Sequence, residues 1–167
     1  MLVIGIDPGL AITGYGLIKQ EEETDQLQAV SYGVIQTAGK TPISERLLQI
    51  YSQLNEILKF HQPNEAAVEK LFFQKNVRTA INVGQGRGVA ILTLANTRIP
   101  LMEYSPLEVK QAVVGYGGAE KVQVQQMVKA ILGLNELPQP DDAADALAVA
   151  ICHIHSLKMK AIERNNT

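Results

Sequence analysis

The chain has 167 residues, enough for one globular domain and too few for two ordinary ones. With 46% hydrophobic and 19% charged residues it holds the apolar material for a packed core, which excludes a disordered chain. A net charge of −2 excludes a uniformly basic nucleic-acid binder and leaves room for a local basic surface.

Leu2 to Ile6 is a short apolar, β-branched run closed by Asp7-Pro8-Gly9, which predicts a buried strand ending in a turn at Asp7. The same N-terminus carries no basic leader, and no apolar run approaches the roughly 20 residues of a membrane span, so a cytoplasmic protein without membrane contact is expected. Ile12 to Ile18 and Ala29 to Thr37 read as two more strands, joined through Glu21, Glu22, Glu23 and Asp25, so the chain begins as an antiparallel meander. Ile43 to Phe60 places Leu47, Leu48, Ile50, Leu54, Ile57 and Leu58 at helical spacing, with Ser44 or Thr41 placed to cap its start. Ala66 to Glu69 is a short strand, residues 77 to 96 a helix, and Ile99 to Tyr104 another strand, the alternation of βαβ units. Leu107 to Val113 and Lys121 to Leu132 are helical around the loop Gly115-Tyr116-Gly117-Gly118, and Asp142 to Leu157 forms the last helix. Residues 158–167 are expected to be a frayed tail, leaving 1–157 as a single domain.

A meander continued by βα units implies an α/β fold: a mixed five-stranded sheet, helices on both faces, and the first strand central. The helix over 77 to 96 contains Gly84, Gly86 and Gly88, each costing about 1 kcal/mol relative to alanine. Ala80, Gly84 and Gly88 share one face, so they fit close approach either to another helix of the chain or to a twofold partner. Cys152, the only cysteine, cannot form an intrachain disulfide, and its apolar neighbours predict a buried thiol.

Acidic residues carry the chemistry. Asp7 and Glu69 each end a predicted strand, where open α/β sheets place ligands. Asp142 and Asp145 are three apart at the start of an alanine-rich helix, on one face and where the helix dipole tolerates negative charge. Singly these are a turn residue, a solvated strand end, an N-cap and a first-turn acid. Asp141 fits the capping role better than either neighbour and stays outside the site. With the first strand central and the last helix beside it, the four converge. At an effective dielectric of about 20, each like-charge pair at about 4 Å costs on the order of 4 kcal/mol, which calls for a cation. All-oxygen ligands favour Mg²⁺ or Mn²⁺ over zinc, and two ions about 3.5–4 Å apart would stabilise the attacking and leaving oxygens of a phosphodiester. His153 and His155, two apart on a helix, do not readily chelate one ion and are expected as helix C-terminal caps. Residues 70 to 88 carry Lys70, Lys75, Arg78 and Arg87 and no acid, a basic stripe that is either DNA-facing or simply solvated.

Gly5-Ile6-Asp7-Pro8-Gly9, Thr13-Gly14-Tyr15-Gly16, Val68-Glu69 with Lys75-Asn76, Gly84-Gln85-Gly86-Arg87-Gly88, Tyr104-Ser105-Pro106 and Asp142-Ala143-Ala144-Asp145-Ala146-Leu147-Ala148 stand in a telling order. In that order and spacing the chain resembles the RuvC family of crossover junction endodeoxyribonucleases over nearly its whole length. The resemblance implies a ribonuclease H-like fold, a homodimer, and a catalytic, metal-binding tetrad of Asp7, Glu69, Asp142 and Asp145. It also implies partnership with the branch-migration proteins RuvA and RuvB. By its offset from Glu69, Phe72 matches the family's aromatic wedge, which stacks on an opened base for about 1–3 kcal/mol, with Phe73 as the alternative. Lys110 and Lys121 match basic positions of the family, the second at a helix start suited to phosphate, and Lys75 and Arg78 join them as expected DNA contacts. The implied activity is that of a Holliday junction resolvase: paired symmetric nicks in four-way DNA junctions, in homologous recombination and repair, using Mg²⁺, two per site, with Mn²⁺ as substitute. Hydrolysis would leave a 5′-phosphate and a 3′-hydroxyl. The alternatives are a YqgF-type RNA-processing nuclease, an actin- or sugar-kinase-like ATPase for which the chain is too short, and a junction-binding module that does not cleave.

Overall fold

The first three apolar runs pair as a meander: β1 (Leu2–Asp7) is antiparallel to β2 (Ile12–Gln20), which is antiparallel to β3 (Leu27–Gln36). After α1 (Ile43–His61) the chain returns beside β1 as the parallel strand β4 (Glu65–Glu69). After α2 (Val77–Thr97) it adds β5 (Leu101–Tyr104), parallel to β4. Parallel neighbours need a crossover, and the two helices supply it. The sheet order is β3-β2-β1-β4-β5, with β1 central as the sequence implies. The helices α3 (Pro106–Val114), α4 (Lys121–Ile131) and α5 (Asp141–Asn165) complete the fold. These observations come from a computed structural model that describes residues 1–70 and 77–165, the side chains of 77–79 and 165 excepted.

Alternation along β1 divides the core between the two faces. Val3 packs with Ala67, Leu147 and Ile151 on the side of α3, α4 and α5. Ile4 and Ile6 pack with Ile50, Leu54 and Leu94 on the side of α1 and α2. Covering on both faces explains why β1 is an unbroken apolar run rather than an alternating one.

Helix ends differ from expectation in two places. Pro42 occupies the N-cap position of α1 without a side-chain cap bond, so neither Ser44 nor Thr41 caps it; Ser44 already lies inside the first turn. The pattern predicts the end of the last helix at Leu157, whereas α5 continues to Asn165, and Lys158 Nζ lies 3.2 Å from the Asp25 carboxylate. His153 is fully buried with Nδ1 2.9 Å from the Tyr104 hydroxyl, and His155 Nδ1 meets the Ala112 carbonyl at 3.0 Å. Ser105 caps α3 in a reciprocal box, accepting from the Glu108 amide at 3.2 Å while the Glu108 carboxylate accepts from the Ser105 amide at 2.7 Å. Cys152 is buried as expected, and burial pushes its thiol up to about 12, so it carries no thiolate at neutral pH. No helix among the described residues is long and apolar enough to cross a membrane.

Candidate active site

Strand register sets the first two acids side by side. Ile6 pairs with Val68 across the parallel β1–β4 ladder, so the next residues, Asp7 and Glu69, end adjacent strands at the same edge of the sheet. The other two acids depend on how closely α5 lies over β1 and β2. A Cβ at Gly5 would stand 2.6 Å from the Ala150 amide nitrogen, and one at Gly14 would stand 2.6 Å from the Asp142 carbonyl carbon. Glycine at these positions lets the helix backbone rest on the strand backbone. Because Gly14 is the ladder partner of Asp7, that contact brings the first turn of α5 over the end of β1. Ala143, Ala144 and Ala146 are buried against the sheet, while Asp142 and Asp145 remain half-buried at its rim. The Thr13 hydroxyl donates to the Gly9 carbonyl at 2.6 Å and fixes the turn that follows Asp7.

The acids respond to one another. Burial, followed by the charges of Glu69, Asp145 and Asp142, pushes the Asp7 carboxyl up to about 8. Burial and Asp145 raise Glu69 as well, against a hydrogen bond with Asp7 and the cations Lys121 and Lys110. With Asp7 the protonated member at neutral pH, its O–H donates to the Glu69 carboxylate. Burial raises Asp145 too, opposed by Lys121. Lys121 Nζ, from the first residue of α4, lies 3.0 Å from the Asp145 carboxylate and 3.3 Å from that of Asp141. Burial works to lower the Lys121 pKa, and the bonds to Asp145 and Asp141 outweigh it, so the ammonium is held above its usual range. A cavity of about 180 Å³ beside the cluster is lined by Glu69, Asp145, Lys110 and Lys121.

The four acids share one edge of the fold without forming a closed ligand shell. Among the described residues no three carboxylate, imidazole or thiol groups stand close enough together to hold a metal ion as they are placed. Asp7 shares a proton with Glu69, and Asp145 is turned to Lys121. Asp141 is not the cap that its position suggests: α5 begins at Asp141 itself, and its carboxylate accepts from Gln125 Nε2 at 3.0 Å and from Lys121, bracing α4 against α5. That role depends on tertiary partners and has no local sequence signal. Phe72, Phe73 and Lys75 lie outside the described residues, as does the side chain of Arg78.

A central five-stranded sheet in this order, with acids ending β1 and β4 and two more on a helix laid across them, defines the ribonuclease H-like class of α/β fold. The profile of the family described as Crossover junction endodeoxyribonuclease RuvC matches residues 3–153. The curated protein of that name from Desulfitobacterium hafniense is 55% identical over 159 residues, 95% of each chain. That from Ruminiclostridium cellulolyticum is 52% identical over 166 residues, 99% of each chain. The solved structure of T. thermophilus RuvC in complex with Holliday junction substrate aligns with a TM-score of 0.90 at 35% identity, covering 96% of each chain. The chain belongs to the RuvC family.

Proposed function

We propose that the protein resolves Holliday junctions in homologous recombination and DNA repair, nicking four-way DNA in symmetric pairs through a divalent-cation site on Asp7, Glu69, Asp142 and Asp145. The observation that carries this is the half-buried cluster of carboxylates at the sheet edge, where desolvation and then mutual repulsion lift Asp7 to about 8. The residues fit a hard divalent ion: every donor is a carboxylate oxygen, and the half-buried Asp7 retains a proton where a cation would otherwise balance the charge. Mg²⁺ bound here, as two ions or with Mn²⁺ in its place, supplies Lewis acidity and charge neutralisation at a scissile phosphodiester.

The chain's own groups do the rest. Asp7, once deprotonated, would be one of the ligands that hold the ion. Asp145 would hold the ion in place of its bond to Lys121, and the Lys121 ammonium at the α4 N-terminus would then be available to a phosphate oxygen. Lys110, which lines the same cavity, would meet the neighbouring backbone. In-line attack by water leaves a 5′-phosphate and a 3′-hydroxyl. Phe72, Lys75 and Arg78 follow Glu69 directly in the sequence, which suits a wedge and further phosphate contacts near the cut.

A homodimer matches the twofold symmetry of a four-way junction and presents two such sites. Its support is one face of α2 left uncovered among the described residues: Ile81 is 58% and Leu92 55% exposed, and Gly84 and Gly88 have nothing within 4 Å of an added Cβ. Action in the cytoplasm as a single nuclease domain, with RuvA and RuvB as partners, is the part of this reading that rests on family resemblance alone.

Incubating the protein with a synthetic four-way junction, with and without Mg²⁺, tests the reading. Paired nicks placed symmetrically about the crossover are the expected product. Intact junction under every divalent ion would refute it, and preferential cleavage of structured RNA would move the assignment to a YqgF-type activity.

A further inference from the structure

Arg87 belongs by sequence to a basic stripe and so invites assignment as a phosphate contact. Its guanidinium instead forms an ion pair with Glu103 on the edge strand β5. Only 21% of the side chain is exposed, and Nε is buried with no hydrogen-bond partner among the described residues. An arginine sunk to that depth has its charge satisfied internally and little reach toward a DNA backbone.

What surrounds it points to a different task. α2 packs chiefly on α1. Among its described side chains the buried ones are Gly86, Ala90, Thr93 and Leu94, and none from Ala80 to Gln85 is buried. At Gly86 the helix touches the turn after Asp7: an added Cβ would stand 2.6 Å from the Gly9 carbonyl oxygen and 3.0 Å from the Leu10 amide nitrogen. The very next residue is Arg87. Glu103 is the ladder partner of Val68, the residue before Glu69. One ion pair therefore ties the helix segment that abuts the Asp7 turn to the strand that flanks Glu69.

We infer that Arg87 is a positioning residue: its pairing with Glu103 moors the middle of α2, seats Gly86 on the Gly9 turn, and so holds Asp7 in register with Glu69. The inference rests on the nuclease reading for its kinetic consequence. The mooring itself is measurable without it.

The test uses the full chain, a synthetic four-way junction and three variants: Arg87→Ala, Glu103→Gln, and the swap Arg87→Glu with Glu103→Arg. Each single change is expected to lower kcat about 10- to 100-fold, as small misplacements of reacting groups do, while junction affinity measured without Mg²⁺ stays within about twofold. The swap is expected to recover most of the rate. Amide exchange over residues 80–90 and at Gly9 to Ala11 should quicken in the single variants and slow again in the swap. A phosphate contact gives the opposite pattern: Arg87→Ala weakens junction binding, Glu103→Gln leaves kcat intact, and the swap is worst of all. That pattern, or three variants indistinguishable from the parent, overturns the inference. If Arg87→Ala does not fold, Glu103→Gln and the swap still decide. If the parent chain does not nick junctions, the functional reading falls while the exchange data judge the mooring separately.

Discussion

Lys121 and Asp145 are bonded at 3.0 Å, so an ammonium from α4 already balances part of the charge that α5 brings to the sheet edge. The same lysine lowers the pKa values of Asp7, Glu69 and Asp145, which couples it to three of the four acids. Replacing it with methionine keeps the length of the side chain and removes that balance. Carboxyl NMR titration of Lys121→Met should place the Asp7 midpoint above the parent's, and junction nicking should fall roughly tenfold or more with loss of the phosphate contact. An unmoved Asp7 midpoint would show that Lys121 does not act on the cluster.

Asp7→Asn removes a ligand charge and keeps the shape of the turn. Junction binding is expected to persist, since the proposed DNA contacts are basic and aromatic side chains rather than Asp7, while Mg²⁺-dependent nicking disappears. Gel-shift and cleavage assays on the same junction separate the two, and retained nicking would remove Asp7 from the site.

The pH dependence follows from the same carboxyl. Asp7 titrates at about 8 in the folded protein against an ordinary 3.8, so between those values the folded state holds a proton that the unfolded chain has released. Stability due to this group is therefore greatest at low pH and falls as pH rises toward 8. Glu69 and Asp145, also raised, add to the fall. His153 acts the other way at the acid end: burial lowers its pKa, so stability is lost as pH drops below the unfolded value of 6.5. Thermal melts should show Mg²⁺ raising Tm more at pH 8 than at pH 6, with Asp7→Asn flattening the alkaline decline. Apparent Mg²⁺ affinity should climb about tenfold per pH unit below the Asp7 midpoint, because one proton must leave. A pH-independent Mg²⁺ affinity would contradict the assignment.

Gly14→Ala tests the seat of α5. The new methyl would push on the main chain of Asp142, a neighbour that cannot rotate away. Overpacking of this kind costs about 1–3 kcal/mol, and a shift near 1 Å at a reacting group costs about 100-fold in rate. Activity should fall much further than the melting temperature. Gly39→Ala, where nothing lies within 4 Å, is the matched control and should change neither.

Ile81→Asp places a charge on the uncovered face of α2 at a position 58% exposed, so folding should be little affected. Sedimentation is expected to show a dimer for the parent and a monomer for the variant, and cleavage to give unpaired nicks. A monomeric parent that still cuts in pairs would exclude this face as the interface.

Most of the architecture is legible because its signals are local. The period of α1 is written in Leu47, Leu54 and Leu58, and the acids stand out because each occupies the end of an element. What escapes is what depends on distant partners. The extent of α5 past Leu157 is obscured because its far end faces solvent, with Met159 and Ile162 exposed, so the apolar pattern stops before the helix does. That error displaces His153 and His155 to a supposed helix end, whereas His153 is a core residue bonded to Tyr104. Among the glycines of α2, a shared face singles out Gly84 and Gly88, yet the close approach within the chain is made by Gly86 from the other side. Spacing alone does not say which face meets a loop.

The backbone contact of α5 on Gly5 and Gly14 carries a consequence for how this molecule tolerates change. Where helix and strand meet through side chains, repacking a leucine or isoleucine alters their separation by fractions of an ångström. Here the spacing between the strand-borne and helix-borne acids is inherited from main chain on main chain. Exchanges among the large aliphatic residues elsewhere in the interior should therefore alter melting temperature well before they alter turnover, leaving thermal adaptation and catalysis free to vary separately.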